Sequence, residues 1–174
     1  MTSKVYVALR VKATPARAFA VFVGEIGTWW KPNSLFQTTP RTPGVLAFEA
    51  GEGGRLTETL ANGKVFEIGR VLIWDPPERL VFSWRQANFP LELKTEIEVK
   101  FEAVGDETRV GVAHRGFDQV PLDSTARHGF PDAALNLRLA EWWQRLLGSF
   151  EARLRIVVAP TPLVVEDGPM KGTN

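Results

Sequence analysis

The sequence has no cysteine, only two histidines and a single tyrosine. Without cysteine there can be no disulfide, iron–sulfur cluster or thiol catalysis. The histidines, His114 and His128, share no metal-ligand spacing and have no third ligand beside them, so no metal and no cofactor is expected. Charge is nearly balanced: 21 basic and 20 acidic side chains give a net charge of +1, with no long run of either sign. That offers no electrostatic footing to nucleic acid or to an anionic membrane. No apolar run is long enough to span a bilayer, and the N-terminus alternates polar and apolar residues where a signal peptide would have a continuous apolar core. The expectation is one cytoplasmic domain over residues 1–158, followed by a disordered tail over 159–174.

Aromatic residues are what the chain has in quantity, six Trp and eleven Phe. Two of the Trp lie in residues 135–158, the stretch on which the rest depends. There Leu135, Leu139, Trp142, Trp143, Leu146, Leu147, Phe150, Leu154 and Val157 recur in steps of three and four. Arg138, Glu141, Gln144, Arg145, Glu151 and Arg155 occupy the other face. The period is that of an amphipathic helix with one broad apolar stripe. No second long helix is legible, so the stripe requires a sheet as its partner.

The strands are there to supply it. Val5, Val7, Leu9 and Val11 alternate as one strand. Thr14-Pro15 then reads as an N-cap with proline at the first helical position, opening a short helix with Phe19, Phe22, Val23 and Ile26 on one face and Gly27 to end it. Trp29-Trp30-Lys31-Pro32 follows as a short turn or distorted helix that tucks at least one indole inward, and residues 33–43 read as a loop. Strands follow over 45–50, 55–60, 64–74, 79–85, 91–103 and 108–115. Asn62-Gly63 marks a hairpin, expected as a type I′ turn with positive φ at both positions. In 91–103 the alternation is cleanest: Leu93, Thr95, Ile97, Val99 and Phe101 face one way and charged residues the other, a sheet dry on one side only. Residues 116–131 form a loop into the long helix. Helices at both ends of an antiparallel meander indicate an α+β fold of six or seven strands.

Several motifs carry a family resemblance. They are Thr14-Pro15 with Phe19 and Phe22, Trp29-Trp30, Gly53-Gly54-Arg55 with Glu58, Asn62-Gly63 and Gly69-Arg70-Val71. They continue through Trp74-Asp75-Pro76-Pro77-Glu78-Arg79-Leu80, Phe82-Ser83-Trp84, Thr108-Arg109-Val110, His114-Arg115-Gly116-Phe117 and Trp142-Trp143. Over roughly residues 4–155 the chain resembles the helix-grip superfamily known as START or SRPBCC, and within it the branch of homologues of the activator of heat-shock-protein-90 ATPase. The resemblance implies a curved antiparallel sheet wrapped around the long C-terminal helix with a hydrophobic cavity between them. It implies a lipid, sterol or polyketide-like ligand, and in some members cyclase or hydrolase activity. Two departures fall where a ligand would enter: a longer 116–131 loop, and Glu141 where the branch usually has glycine.

The candidate site follows from alternation and chemistry. Trp30, Trp84, Phe117, Trp142 and Trp143 are candidate walls. His114 shares the inward parity of Val110 and Val112, as a polar anchor or general base, while His128 is expected to be exposed. Glu58 shares the parity of Leu56 and Leu60, and Arg70 that of Phe66, Ile68, Leu72 and Trp74. Either the two pair inside, or a twist or bulge carries one or both to solvent. The leading expectation is therefore binding of a small hydrophobic ligand. The alternatives are a cyclase or hydrolase using His114 with Glu58, and a module that meets the chaperone heat-shock-protein-90. A homodimer is a further possibility.

Overall fold

The computed structural model describes residues 3–40 and 43–157. Strand β1 (Lys4–Val11) is followed by helices α1 (Pro15–Gly24) and α2 (Ile26–Trp29). Six strands come next: β2 (Val45–Phe48), β3 (Arg55–Thr59), β4 (Val65–Asp75), β5 (Arg79–Trp84), β6 (Thr95–Val104) and β7 (Glu107–Arg115). The chain closes with α3 (Asp132–Val157). The seven strands form one sheet in the order β1-β7-β6-β5-β4-β3-β2, antiparallel throughout, so β2 to β7 is a meander and β1 completes it beside β7.

Local chemistry sets the element ends. Thr14 caps α1, its Oγ1 accepting from Arg17 N at 3.2 Å, with Pro15 in the first turn. α1 stops at Gly24, three residues before the glycine expected to end it, and Gly27 lies inside α2. Trp29 is fully buried and donates from Nε1 to Phe22 O at 3.2 Å, tying α2 back onto α1. The β3–β4 turn differs from the expected type I′. Gly63 has φ +83°, Asn62 is not at positive φ, and Gly63 N donates to Leu60 O. A type I turn ending in a left-handed glycine meets the same need for strand twist with one more loop residue. β6 begins at Thr95, four residues later than expected, because Leu91–Lys94 turns beside Pro90 and leaves Leu91 exposed.

β4 departs most from simple alternation. Against β3, Leu56 faces Gly69 but Thr57 faces Glu67, so Ile68 is an extra residue. Against β5, Val71 faces Phe82 but Ile73 faces Val81, so Leu72 is a second. Each extra residue reverses which parity points inward, and the strand bends. Between the two bulges the backbones of β4 and β5 close up: a Cβ on Gly69 would lie 1.7 Å from Ser83 O.

The core lies between the concave sheet face and α3. From Leu135 to Leu154 the expected stripe is buried. Phe22 of α1 meets Phe101 of β6 and Phe150 of α3 edge-on, at 5.7 and 5.5 Å. α3 starts three residues before the expected 135, with Leu135 N donating to Pro131 O, and the expected final residue, Val158, lies outside the described residues, as does the 159–174 tail. The 116–131 connection contains two short 3-10 turns. Its Arg127 is buried, donates to Phe117 O at 3.1 Å and pairs with Asp132 at 2.7 Å, which fixes the start of α3. No helix among the described residues is long and apolar enough to cross a membrane.

Candidate functional site

The space between sheet and α3, at the end where the 116–131 connection enters, is filled with rings. Trp142 stacks on Phe36 at 5.1 Å and meets Trp30 edge-on at 5.3 Å. Trp30 also meets Trp143 at 5.6 Å. Beneath them Trp84 touches His114, Phe117 and Trp142 at 5.4, 5.9 and 6.0 Å. Trp84, Phe117, Trp142 and Trp143 are all buried, and Trp30 is half-buried. These contacts are edge-to-face and offset arrangements that suit aromatic quadrupoles.

His114 sits inside this cluster, 1% exposed. Trp143 Nε1–H donates to its Nδ1 at 3.1 Å, which makes Nδ1 the acceptor and leaves the proton on Nε2. Nε2 lies 2.8 Å from Thr95 Oγ1, and that hydroxyl donates onward to Trp84 O at 2.8 Å. The chain of donors therefore runs Trp143, His114, Thr95, Trp84 carbonyl. Burial pushes the imidazole down to about 3, so the ring is neutral near pH 7. Both nitrogens are engaged by the protein's own groups, and neither is left for a substrate in this arrangement. Trp84 Nε1–H, by contrast, is buried with no acceptor among the described residues.

Glu58, on β3, is a buried carboxylate, 2% exposed. Its Oε1 accepts from Thr38 Oγ1 at 2.8 Å and Thr39 Oγ1 at 2.7 Å, and its Oε2 accepts from Gly44 N at 3.1 Å. The carboxylate thus holds the connection between α2 and β2 against the sheet. Above it lies a pocket of about 40 Å³, whose walls include Trp30, Phe36 and Leu46 and which reaches exposed Pro32, Gln37 and Pro43. At roughly 10–15 Å³ for one water, this is space for about three. The pocket's outer wall is held by Trp142 Nε1 donating to Lys31 O at 3.2 Å, Gln86 Nε2 donating to Gln37 O at 3.1 Å, and His128 Nε2 at 2.7 Å from Leu35 O.

Seven of the eight residues expected at the site come together. Trp30, Trp84, His114, Phe117, Trp142 and Trp143 form the ring cluster, and Glu58 shares a pocket with Trp30. Arg70 does not join them. Of the two outcomes left open for it, Arg70 goes to solvent and pairs with Glu67 at 2.5 Å. The bulge at Ile68 is the cause, since it turns the inward parity from Phe66 to Gly69 and Val71. His128 is exposed as expected. Phe36, Thr38, Thr39, Gly44 and Leu46 escaped the sequence reading; Thr38-Thr39 next to a buried Phe36 is the faint signal, hidden in a proline-punctuated loop with no period. Thr95 was visible as an inward residue, but nothing in the sequence pairs it with His114.

A curled antiparallel sheet closed by one long C-terminal helix defines a helix-grip protein. Residues 12–155 match the family model of Activator of Hsp90 ATPase homolog 1-like protein, and the chain belongs to that family. Among solved structures, protein MLL2253 from Mesorhizobium loti is similar at a TM-score of 0.63 and 16% identity, over 89% of this chain and 98% of that one. An HSP90 activator from Plasmodium falciparum matches at 0.60 and 16%, over 87% and 96% of the two chains. The Aha1 dimer from Colwellia psychrerythraea matches at 0.59 and 17%, over 90% and 99%. At such identities the likeness is one of fold alone. No curated protein matches the sequence.

Proposed function

We propose that the chain binds a small, mostly apolar molecule at the pocket floored by Glu58 and walled by Trp30 and Phe36. The observation that carries this is a buried carboxylate, already held by three donors, facing aromatic walls in a pocket that reaches the surface. Pockets of this make-up, apolar with a few fixed polar groups, are where small ligands are oriented. Of the ligand classes the family suggests, a whole sterol or lipid chain would need the ring cluster to part. A single substituted ring needs only a shift of Trp30 or of Phe36. Native mass spectrometry of protein purified from its own host, joined to thermal shifts, tests the reading. A retained small molecule supports it. No adduct and no shift with single-ring aromatics, lipids, sterols or polyketide-like compounds would sink it.

A cyclase or hydrolase working through His114 would first have to free that ring from Trp143 or Thr95, so the geometry gives binding the better support. The family membership favours a second reading, a module that meets the chaperone Hsp90, in line with the Plasmodium falciparum neighbour described as an HSP90 activator. Retention of the cognate chaperone on immobilised protein would support it, and no retention would argue against it. Light scattering would show whether this chain pairs as the Colwellia protein does.

A further inference from the structure

We propose that the outer face of the sheet carries a site of its own, which takes a phosphate monoester on a compact apolar body. A depression of about 500 Å³ lies there over β4 and β5, within the usual size of a small-molecule site and lined entirely from residues 66–94. In β5 the side chains of Leu80, Phe82 and Trp84 belong to the core, so by alternation Ser83 and Arg85 face away from it. Both line the depression, as do Arg70 and Lys94, which are exposed. Its floor is low because Gly69 has no side chain and Ser83 a short one, on strands whose backbones are in contact. Ser83 Oγ accepts from Arg70 N at 2.9 Å, which leaves the hydroxyl proton to donate.

Charge selects the ligand. Arg70, Arg85 and Lys94 stand against one carboxylate, Glu67, which is tied to Arg70, so two positive charges are in excess among the described lining residues. Arg85 is oriented by Nη2 donating to Phe89 O at 3.2 Å, a neutral acceptor that leaves its charge whole. A phosphate monoester carries close to two negative charges above about pH 7, which matches that excess, and a guanidinium can meet two of its oxygens at once. A carboxylate would offset only half of the excess. The apolar body has surface to lie on, since half-buried Phe66 and Leu91, 83% exposed, line the same depression.

The test titrates the full chain at about pH 7.5 and low salt with phenyl phosphate, inorganic phosphate and phenol, followed by amide nuclear magnetic resonance shifts. Phenyl phosphate should bind roughly tenfold or more tightly than either of the others, the worth of one charge-assisted hydrogen bond, with its largest shifts at Gly69, Ser83 and Lys94. Lys94→Gln, a change at an exposed position, should weaken phenyl phosphate roughly tenfold, and Arg85→Gln should weaken it further. Glu67→Gln, which releases Arg70, should tighten it, an effect that a merely structural ion pair would not produce. If Arg85→Gln does not fold, Lys94→Gln and Glu67→Gln decide. Phenol binding as tightly as phenyl phosphate, shifts that lie off this face, or unchanged affinity in Lys94→Gln would overturn the proposal. Inorganic phosphate binding as tightly as its phenyl ester would overturn the ligand class. Each of these outcomes leaves the reading of the Glu58 pocket standing, because that pocket shares Trp30 and Phe36 with the core on the other side of the sheet.

Discussion

At the scale of single residues, His114 shows how a titratable group becomes a structural one. Its ordinary value of 6.5 falls to about 3 because the charged ring would be stranded among Trp84, Phe117 and Trp143. Between those two values the unfolded chain takes up a proton that the native state refuses. Stability is therefore complete above about pH 6.5 and declines as pH falls towards 3. Between about pH 6.5 and 4.5 the loss from this one group is about 2 kcal/mol. Urea unfolding at those two pH values should show that loss in the native sequence and not in His114→Gln, which does not titrate. Equal acid sensitivity of the two proteins would refute the buried-neutral assignment. Thr95→Val should cost about 1–3 kcal/mol at neutral pH, since it leaves the Nε2–H buried without its acceptor. The check is a lower denaturant midpoint at unchanged slope.

At the scale of elements, α3 and β4 differ in how plainly the sequence declares them. In α3 the period of apolar residues is the fold: each side chain from Leu135 to Leu154 on the expected stripe is buried. β4 has a comparable run of apolar residues, yet its two bulges at Ile68 and Leu72 change the parity twice within one strand. Leu72 leaves no mark because Val71 and Ile73 beside it are apolar too, and Ile68, two positions after Phe66, reads as ordinary alternation. Arg70 was therefore ambiguous by pattern and settled only by register. Gly69, lying between the bulges, is the most constrained position of this element. Gly69→Ala should destabilise by about 3 kcal/mol or more, because the clash is with the backbone carbonyl of Ser83, which cannot rotate away. Chemical denaturation of the variant measures this, and a loss below about 1 kcal/mol would mean that the strands can separate there at little cost.

At the scale of the whole molecule, the sheet and α3 enclose a core of rings, and the candidate site is the margin of that core rather than a separate feature. Trp30 and Phe36 belong to both, through Trp142. Under the proposed binding function, ligand entry would be coupled to core packing, and a bound molecule should raise the unfolding temperature of the entire domain rather than order one loop. The family match ends at residue 155, and the stripe is buried at least as far as Leu154. Deleting 159–174, which the family match does not reach, should leave the melting temperature within about 2 °C of the full chain. A drop well beyond that, read by calorimetry, would assign the terminal residues a packing role.

The sequence by itself determined the order of the elements, the long helix and its buried face, the one-sided sheet, the family, and the inward position of His114. The family rests on the likeness of its motifs; the rest follows from local periodicity, capping and turn chemistry, which are written along the chain. Only the tertiary structure decided which polar groups meet. Glu58 finds Thr38 and Thr39, 20 and 19 positions away; His114 finds Thr95 and Trp143, 19 and 29 positions away; Arg70 finds solvent and Glu67. Those meetings depend on strand register and on how the loops and α3 pack on the sheet, and for Arg70 the register is reset by a bulge in β4. The physical reason is the short reach of a hydrogen bond, about 3 Å, against a shift of one residue in a strand, about 3.3 Å.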